Sequence, residues 1–367
     1  MDYILSSLIF IPLLAVLVVL VLPQRFESGI KTVALLATGL QMILAVWLYF
    51  SFNAGSANLG YQFVQQLNWI NLNLQSLGLL QIQYFVGVDG ISLGMVLLTG
   101  LIGFIGVISS WTIAKNIKGY FSLYLLLVGS VMGCFLALDL FLFYLFFEFM
   151  LLPMYFLIGI WGGPRREYAA IKFFIYTLIG SLFILIVMIG LYTSVVDPAA
   201  TAVRAGLALP NGAVAPAVVA QVQRQVAANQ IAPEQLVHTF SIPAMAEAAN
   251  FIPGSILHVL SPKQLWGLPV RLLAFLLLFA GFAIKLPVVP VHTWLPDAHV
   301  EAPTPISVLL ASLLLKVGGY GLFRLVYPVF PDAAVYYAYL IGFIGVFSII
   351  YGAMCALAMS DLKKLIA

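Results

Sequence analysis

Long apolar runs dominate this chain, and each is close to the ~20 residues that a helix needs to cross the hydrocarbon core of a bilayer. Nine such runs cover residues 3–22, 31–52, 85–110, 119–137, 140–161, 169–194, 270–290, 304–326 and 334–356. A tenth begins near Ser360. The runs are too long and alternate too little to be barrel strands, so they predict a bundle of membrane-spanning helices.

Composition supports the same class. Of 367 residues, 63% are hydrophobic and only 8% are charged, where a soluble domain has about 25% charged residues. So few charges cannot cover a soluble core, which excludes a soluble enzyme, a nucleic-acid-binding protein and a disordered chain. The two cysteines, Cys134 and Cys355, lie far apart in apolar runs, so we expect neither a disulfide framework nor an iron–sulfur site.

Basic residues predict the orientation of the spans. Eight of them lie in or beside the loops after the first, third, fifth and ninth spans: Arg25, Lys31, Lys115, Lys118, Arg165, Arg166, Lys363 and Lys364. The positive-inside rule places these loops in the cytoplasm and the N-terminus outside. Two polar stretches then lie outside: 53–84, predicted to be an ordered loop, and 195–269, an insertion whose part around 214–229 is predicted to be helical.

Three charged residues lie deep inside apolar runs: Glu148, Lys285 and Lys316. An ionisable group at the centre of a bilayer costs about 2.5–3.5 kcal/mol even on the most lenient scale. Pro287 and Pro290 follow Lys285 and predict a broken helix, a feature typical of ion-transport sites. We interpret the three charges as a proton relay, in which Glu148 biases the protonation of Lys285, and Lys285 exchanges protons with Lys316 through water. The alternative is a structural ion pair that holds the bundle together.

Two histidines, His292 and His299, lie in a short polar connection after the broken span. Their spacing matches no zinc pattern, so we expect no metal here. Proton uptake from the cytoplasmic side is one interpretation of the pair, and capping of the loop is the other.

Several motifs together resemble the antiporter-like membrane subunits of respiratory complex I, the proton-pumping NADH:quinone oxidoreductase. They are GVDGIS at 87–92, FEF at 147–149 and the run 285–305, which contains WLPDA. The run 299–321 resembles the subunit M (chain 4) branch of that family in particular. The resemblance covers nearly the whole chain except about 197–236.

This resemblance implies an all-α fold, a polytopic transmembrane helix bundle with about nine complete spans present. The family has two inverted five-helix repeats, each with a broken helix; here the first, spans 4–8, is complete and the second is cut short. The implied division is 1–118 for the first three helices, 119–326 for the first repeat and 327–367 for the start of the second. Because the chain stops at the opening of a tenth helix, we expect a fragment of a longer chain, the alternative being a truncated protein.

By the same resemblance, Glu148, Lys285 and Lys316 match the family's proton-carrying residues, whose proton movement is driven by quinone reduction elsewhere in the complex. The resemblance implies that this chain binds no cofactor, and that NADH, FMN, iron–sulfur clusters and quinone belong to other subunits. The implied partners are other membrane subunits and lipid, with protons transported across a bacterial plasma membrane and no nucleic acid bound. The alternatives are a subunit of a cation/proton antiporter, the membrane arm of a hydrogenase or formate-linked complex, and a purely structural scaffold.

Overall fold

A computed structural model describes residues 3–53, 55, 60–73, 79–209 and 214–366. In this part of the chain, eight helices are long and apolar enough to cross a membrane: Ile4–Val21, Glu27–Ser51, Gly90–Thr112, Ile117–Leu136, Leu140–Trp161, Arg166–Ser194, Thr304–Val329 and Ala338–Leu357. They match eight of the nine predicted spans. The prediction of an all-α, polytopic helix bundle is therefore confirmed.

The elements are numbered in chain order, and several spans consist of more than one helix. The helices are α1 (Ile4–Val21), α2 (Glu27–Ser51), α3 (Gly90–Ser109), α4 (Ile117–Leu136), α5 (Leu140–Phe149), α6 (Leu151–Trp161), α7 (Arg166–Ser194), α8 (Pro198–Arg204), α9 (Pro216–Ala227), α10 (Ile242–Ala246), α11 (Val270–Lys285), α12 (Trp294–Glu301), α13 (Thr304–Leu309), α14 (Leu315–Gly321), α15 (Tyr327–Val329), α16 (Pro331–Tyr336), α17 (Ala338–Leu357) and α18 (Leu362–Ile366). The strands are β1 (Gln62–Asn73), β2 (Leu79–Val88), β3 (Val237–Thr239), β4 (Gln264–Leu265) and β5 (Leu268–Pro269).

In its described part, the polar stretch between the second and third spans forms the two strands of a β-hairpin rather than the predicted ordered loop; residues 54, 56–59 and 74–78 lie outside the described residues. Strands β1 and β2 pair antiparallel, and β2 continues to Val88, so the prediction that the third span begins at residue 85 is wrong. Asp89 starts α3 instead, because its side chain accepts a hydrogen bond from Ser92 N at 2.9 Å while Ser92 Oγ accepts one from Asp89 N at 2.8 Å. This reciprocal capping box fixes the first turn of the helix.

Both segments predicted to lie outside the membrane meet in one sheet. Strand β3, from the insertion between the sixth and seventh spans, pairs parallel with β2. The hairpin and the insertion therefore lie on the same side of the bundle, as the predicted topology requires. Which side faces the cytoplasm stays a prediction. Helix α9 agrees with the predicted helix around 214–229.

The connection between α4 and α5 is held between the hairpin and the insertion. Leu138 N donates to Phe85 O at 2.8 Å, and Leu140 N donates to Phe240 O at 2.7 Å. Asp139 is buried there, and its carboxylate accepts hydrogen bonds from Leu142 N at 3.0 Å and Gln83 N at 3.2 Å. The start of α5, the helix that carries Glu148, is thus tied to two segments that are distant in sequence.

Burial raises the pKa of Asp139 to about 6, although hydrogen bonds from backbone N–H groups counteract it. The folded state then holds the proton more tightly than the unfolded chain does between about pH 4 and pH 6. The stability that Asp139 contributes is fully present below about pH 4 and is lost as the pH rises through about 6.

An Asp139→Asn variant keeps an acceptor for Leu142 N but does not titrate. We expect its stability relative to the parent protein to rise by about 2–3 kcal/mol between pH 4 and pH 7. Unfolding of the two proteins in the same detergent, followed at several pH values, measures this difference. A difference that does not change with pH would contradict the prediction.

Candidate proton-transfer site

Glu148 lies in the last turn of α5, next to an interruption of the fifth span. The helix pauses at Met150 and resumes as α6 at Leu151. Pro153 has no N–H and cannot donate to the carbonyl four residues earlier, which explains a break at this point. Glu148 is half-buried, and its Oε1 is buried without a hydrogen-bond partner. An unsatisfied carboxylate oxygen inside an apolar bundle is a position where a proton or a water molecule can bind.

Lys285 is the last residue of α11, which confirms the predicted break and places it five residues earlier than the predicted end of this span. The side chain is 1% exposed. The helix cannot continue through Pro287 and Pro290. One carbonyl at the break is satisfied by a side chain from the following helix, since Trp294 Nε1 donates to Ile284 O at 2.8 Å.

Aromatic rings surround the ammonium group of Lys285. Its Nζ lies 4.9 Å from the ring centroid of Phe147 and 5.7 Å from that of Phe173. These cation–π contacts compensate only part of the cost of burying the charge. Glu148 follows Phe147 directly in α5 and so lies close to this ammonium group, but no direct ion pair joins these two described residues. The alternative of a structural ion pair therefore lacks the contact that it requires.

Glycines bring the eighth span close to the break in the seventh. A Cβ atom on Gly318 would lie 2.8 Å from Leu286 N, and one on Gly321 would overlap the ring of Phe282. Because no side chain could fit at these two positions, the backbones of α14 and α11 approach closely beside Lys285.

Lys316 lies elsewhere on the eighth span. Its side chain is exposed, and its Nζ donates to Ala311 O at 2.8 Å, within a π-helical turn at Leu310–Leu314. Gly318, two residues further on, contacts α11, so Lys316 points away from Lys285. The structure thus places Lys285 against Phe147, the residue before Glu148, and does not bring Lys316 to this contact. A direct transfer to Lys316 is not supported by this geometry, and the relay stays a prediction.

His292 lies just before the short helix α12, and His299 lies within it. His292 lines a cavity of about 350 Å³ that Tyr351 and Lys364 also line, and His299 is buried. A role for either in proton uptake stays a prediction. In the described part of the chain, no group of three His, Cys, Asp or Glu residues could hold a metal ion.

Ion pairs attach α12 to the neighbouring spans. Lys172 on α7 pairs with Asp297 at 2.7 Å. Glu301 accepts a hydrogen bond from Arg165 N at 2.9 Å. The segment after the broken helix is therefore fixed to the loop between the fifth and sixth spans at Arg165, and to α7 at Lys172.

Sequence reasoning missed a buried charge cluster on the opposite side of the bundle. Arg324 is 7% exposed and forms a bidentate pair with Asp89, at 2.7 and 2.8 Å. It also donates to the hydroxyls of Tyr61 at 2.9 Å and Tyr320 at 3.0 Å. Burial raises the pKa of Asp89, but the Arg324 guanidinium and the hydrogen bonds from Ser92 outweigh burial and hold this pKa below its usual range.

One signal could have found this cluster. Asp89 lies near the start of the predicted run 85–110, and Arg324 lies near the end of the predicted run 304–326. A second cation eight residues after Lys316 on the same span needs its own counter-charge, and Asp89 is the acid that supplies it.

The fold and these motifs define a class of membrane protein. A family model described as the transmembrane region of NADH:quinone oxidoreductase and Mrp antiporter matches residues 137–203 and 239–367. The chain belongs to this family.

Curated relatives are similar along nearly the whole chain. Subunit M of NADH-quinone oxidoreductase from Rickettsia prowazekii is 36% identical over 368 residues, covering 99% of this chain and 62% of the relative. The Rhodobacter capsulatus subunit M is 37% identical over 371 residues, covering 100% of this chain and 62% of the relative. The chain thus spans about three fifths of the length of the curated relatives that it matches.

Solved structures show the same fold. A chain of respiratory complex I from Thermus thermophilus with bound NADH matches with a TM-score of 0.68 and 25% identity, over 99% of this chain and 61% of that one. A chain of an archaeal membrane-bound sulfane sulfur reductase matches with a TM-score of 0.64 and 20% identity, over 99% of this chain and 61% of that one. The second likeness concerns the fold alone.

Proposed function

We propose that this chain forms part of a proton-translocating membrane subunit of an NADH:quinone oxidoreductase. One observation carries the proposal: a fully buried lysine at a helix break lies within electrostatic reach of a carboxylate that has an unpaired oxygen. Both groups lie in predicted membrane spans, where a fixed charge is costly and a change of protonation removes that cost.

The chemistry follows from the coupling between the two groups. A negative charge on Glu148 favours the protonated form of Lys285, and neutralising Glu148 makes Lys285 easier to deprotonate. The freed backbone groups at both helix breaks, beside Met150 and after Lys285, supply polar contacts for water between them. A proton can then pass from one group to the other without a permanent ion pair that would trap it.

Lys316 is the proposed next group in the path. In an apolar span an ammonium group needs a polar partner or water, and in the structure Ala311 O is its hydrogen-bond acceptor. A water chain around α14, or a change in the π-helical turn before Lys316, is needed to connect it with Lys285.

Electron transfer belongs to other subunits in this proposal. This chain supplies no redox centre, and NADH, FMN, iron–sulfur clusters and quinone are bound by its partners. Neighbouring membrane subunits and lipid surround it in a bacterial plasma membrane, with the N-terminus outside. The relatives named NADH-quinone oxidoreductase subunit M support this assignment.

Purification of the protein with its native partners tests the proposal. We expect a tagged full-length protein, extracted in mild detergent, to bring down subunits that contain flavin and iron–sulfur centres, visible in absorption and EPR spectra. Partners without redox centres would instead favour the cation/proton antiporter, which the same family model covers.

A further inference from the structure

Large apolar side chains are exposed on the short hairpin that precedes α11. Strands β4 and β5 are joined by a tight turn at Trp266 and Gly267, both with positive φ. Trp266 is 88% exposed, and Leu260, just before the hairpin, is 84% exposed. Leu265 and Leu268 are exposed as well. A cluster of this kind on a protein surface indicates contact with another apolar phase.

The position of the hairpin relative to the bilayer follows from α11. The hairpin runs directly into the helix at Val270, and Arg271 in its first turn pairs with Asp332 at 2.7 Å, which marks the end of the apolar run. At 1.5 Å per residue, the helix rises about 22 Å from Val270 to Lys285. Since half of the hydrocarbon core is about 15 Å thick, a Lys285 near the centre of the bilayer places the hairpin at the level of the lipid headgroups.

A second group of aromatic residues lies near this level. Asp332 belongs to α16, which leads into the membrane-spanning α17 at the same end of the bundle. Tyr336 and Tyr339, at the start of that span, are both exposed. Trp and Tyr are enriched where spans enter the headgroup region, because their rings have an apolar body and a polar edge. Lys263 is exposed beside the hairpin and adds a positive charge suited to lipid phosphates.

We infer that residues 259–268 form an interfacial anchor. Trp266 and the neighbouring leucines insert into the boundary between headgroups and acyl chains, in the leaflet on the side of the sheet, and Lys263 lies among the phosphates. The partner is the phospholipid bilayer itself. The anchor holds the start of α11 at a fixed depth, and therefore also the depth of Lys285 at its other end.

Quenching of tryptophan fluorescence tests this inference in the whole protein. The protein is reconstituted in nanodiscs of phosphatidylcholine and phosphatidylglycerol, either unmodified or brominated near the carbonyl end of the acyl chains. Subtracting the emission of a Trp266→Phe variant leaves the emission of Trp266. We expect brominated lipid to remove most of this emission and aqueous iodide to leave most of it.

A matched control uses the other part of the same insertion. Gln221 is exposed on α9, which packs on α8, so the added indole of a Gln221→Trp variant should be quenched by iodide and not by brominated lipid. Quenching of Trp266 by iodide alone would show that the hairpin lies in water. No quenching by either agent would show that protein covers it. Both results would overturn the inference.

Discussion

A Glu148→Gln variant should lose most of its proton translocation while the protein still assembles with its partners. The amide has nearly the volume of the carboxylate, so packing between α5 and the surrounding helices is preserved. It cannot exchange a proton, and it removes the charge that favours protonated Lys285. A positioned proton-transfer group contributes about 10²–10⁴-fold to its step, so we expect pumping to fall roughly tenfold or more. Proton uptake into vesicles, measured during quinone-linked NADH oxidation with the full-length subunit, gives this rate.

A Glu167→Gln variant is the matched control. Glu167 is exposed in the first turn of α7, and the same substitution there should leave pumping close to that of the parent protein. If an assembled complex with Glu148→Gln pumped at the parental rate, Glu148 would not be part of the proton path. If the complex with Glu148→Gln fails to assemble, a Glu148→Asp variant provides the test instead. This variant keeps a carboxylate that can exchange a proton, so it should pump more than the Gln variant.

An Arg324→Met variant should lower the free energy of unfolding by about 3 kcal/mol. The substitution removes a buried guanidinium and leaves Asp89 with its backbone partners but without a cation. It also removes the donors to the hydroxyls of Tyr61 and Tyr320. Breaking a buried pair from one side costs more than the pair contributes, because the remaining charge is uncompensated. Thermal unfolding in a single detergent, compared with the parent protein, measures the loss.

A looser ion pair, whose arginine is exposed and whose glutamate keeps a hydrogen bond from the Arg165 backbone N–H, provides the control for this measurement. Arg165 is largely exposed and lies 3.8 Å from the Glu301 carboxylate, so Arg165→Met should change stability by less than about 1 kcal/mol. Combining Arg324→Met with Asp89→Asn should recover part of the loss, since the second change removes the unpaired charge. Equal effects of the two methionine variants would contradict the assignment of Arg324 to a buried, stabilising pair.

The predictable part of this fold depends on local patterns. Eight spans followed from apolar runs of sufficient length, because each helix satisfies its own backbone hydrogen bonds and needs no distant partner. The break after Lys285 followed from two nearby prolines. The β1–β2 hairpin was interpreted from the sequence as an ordered loop, although its two strands are neighbours along the chain. The pairing of β3 with β2 could not be predicted from local patterns, since it joins Val237 to Leu79.

The candidate site, too, was predictable only in part from the sequence. Apolar surroundings identified Glu148, Lys285 and Lys316 as costly charges, because that cost depends on composition near each residue. Their relative placement depends on how each helix is rotated against its neighbours, and this rotation is set by contacts such as Gly318 against Leu286. The sequence could not show that Lys316 points away from the other two.

The sequence by itself determined that this chain is a multi-span membrane protein with three charged residues inside apolar runs and a helix that breaks after Lys285. Only the tertiary structure decided that Lys285 packs against Phe147, next to Glu148, without an ion pair between the two charges, that Arg324 pairs with Asp89, and that the β1–β2 hairpin and the insertion share a sheet. The physical reason is that burial and helix breaks depend on neighbouring residues, whereas pairing between residues more than 100 positions apart depends on how packed helices are arranged in space.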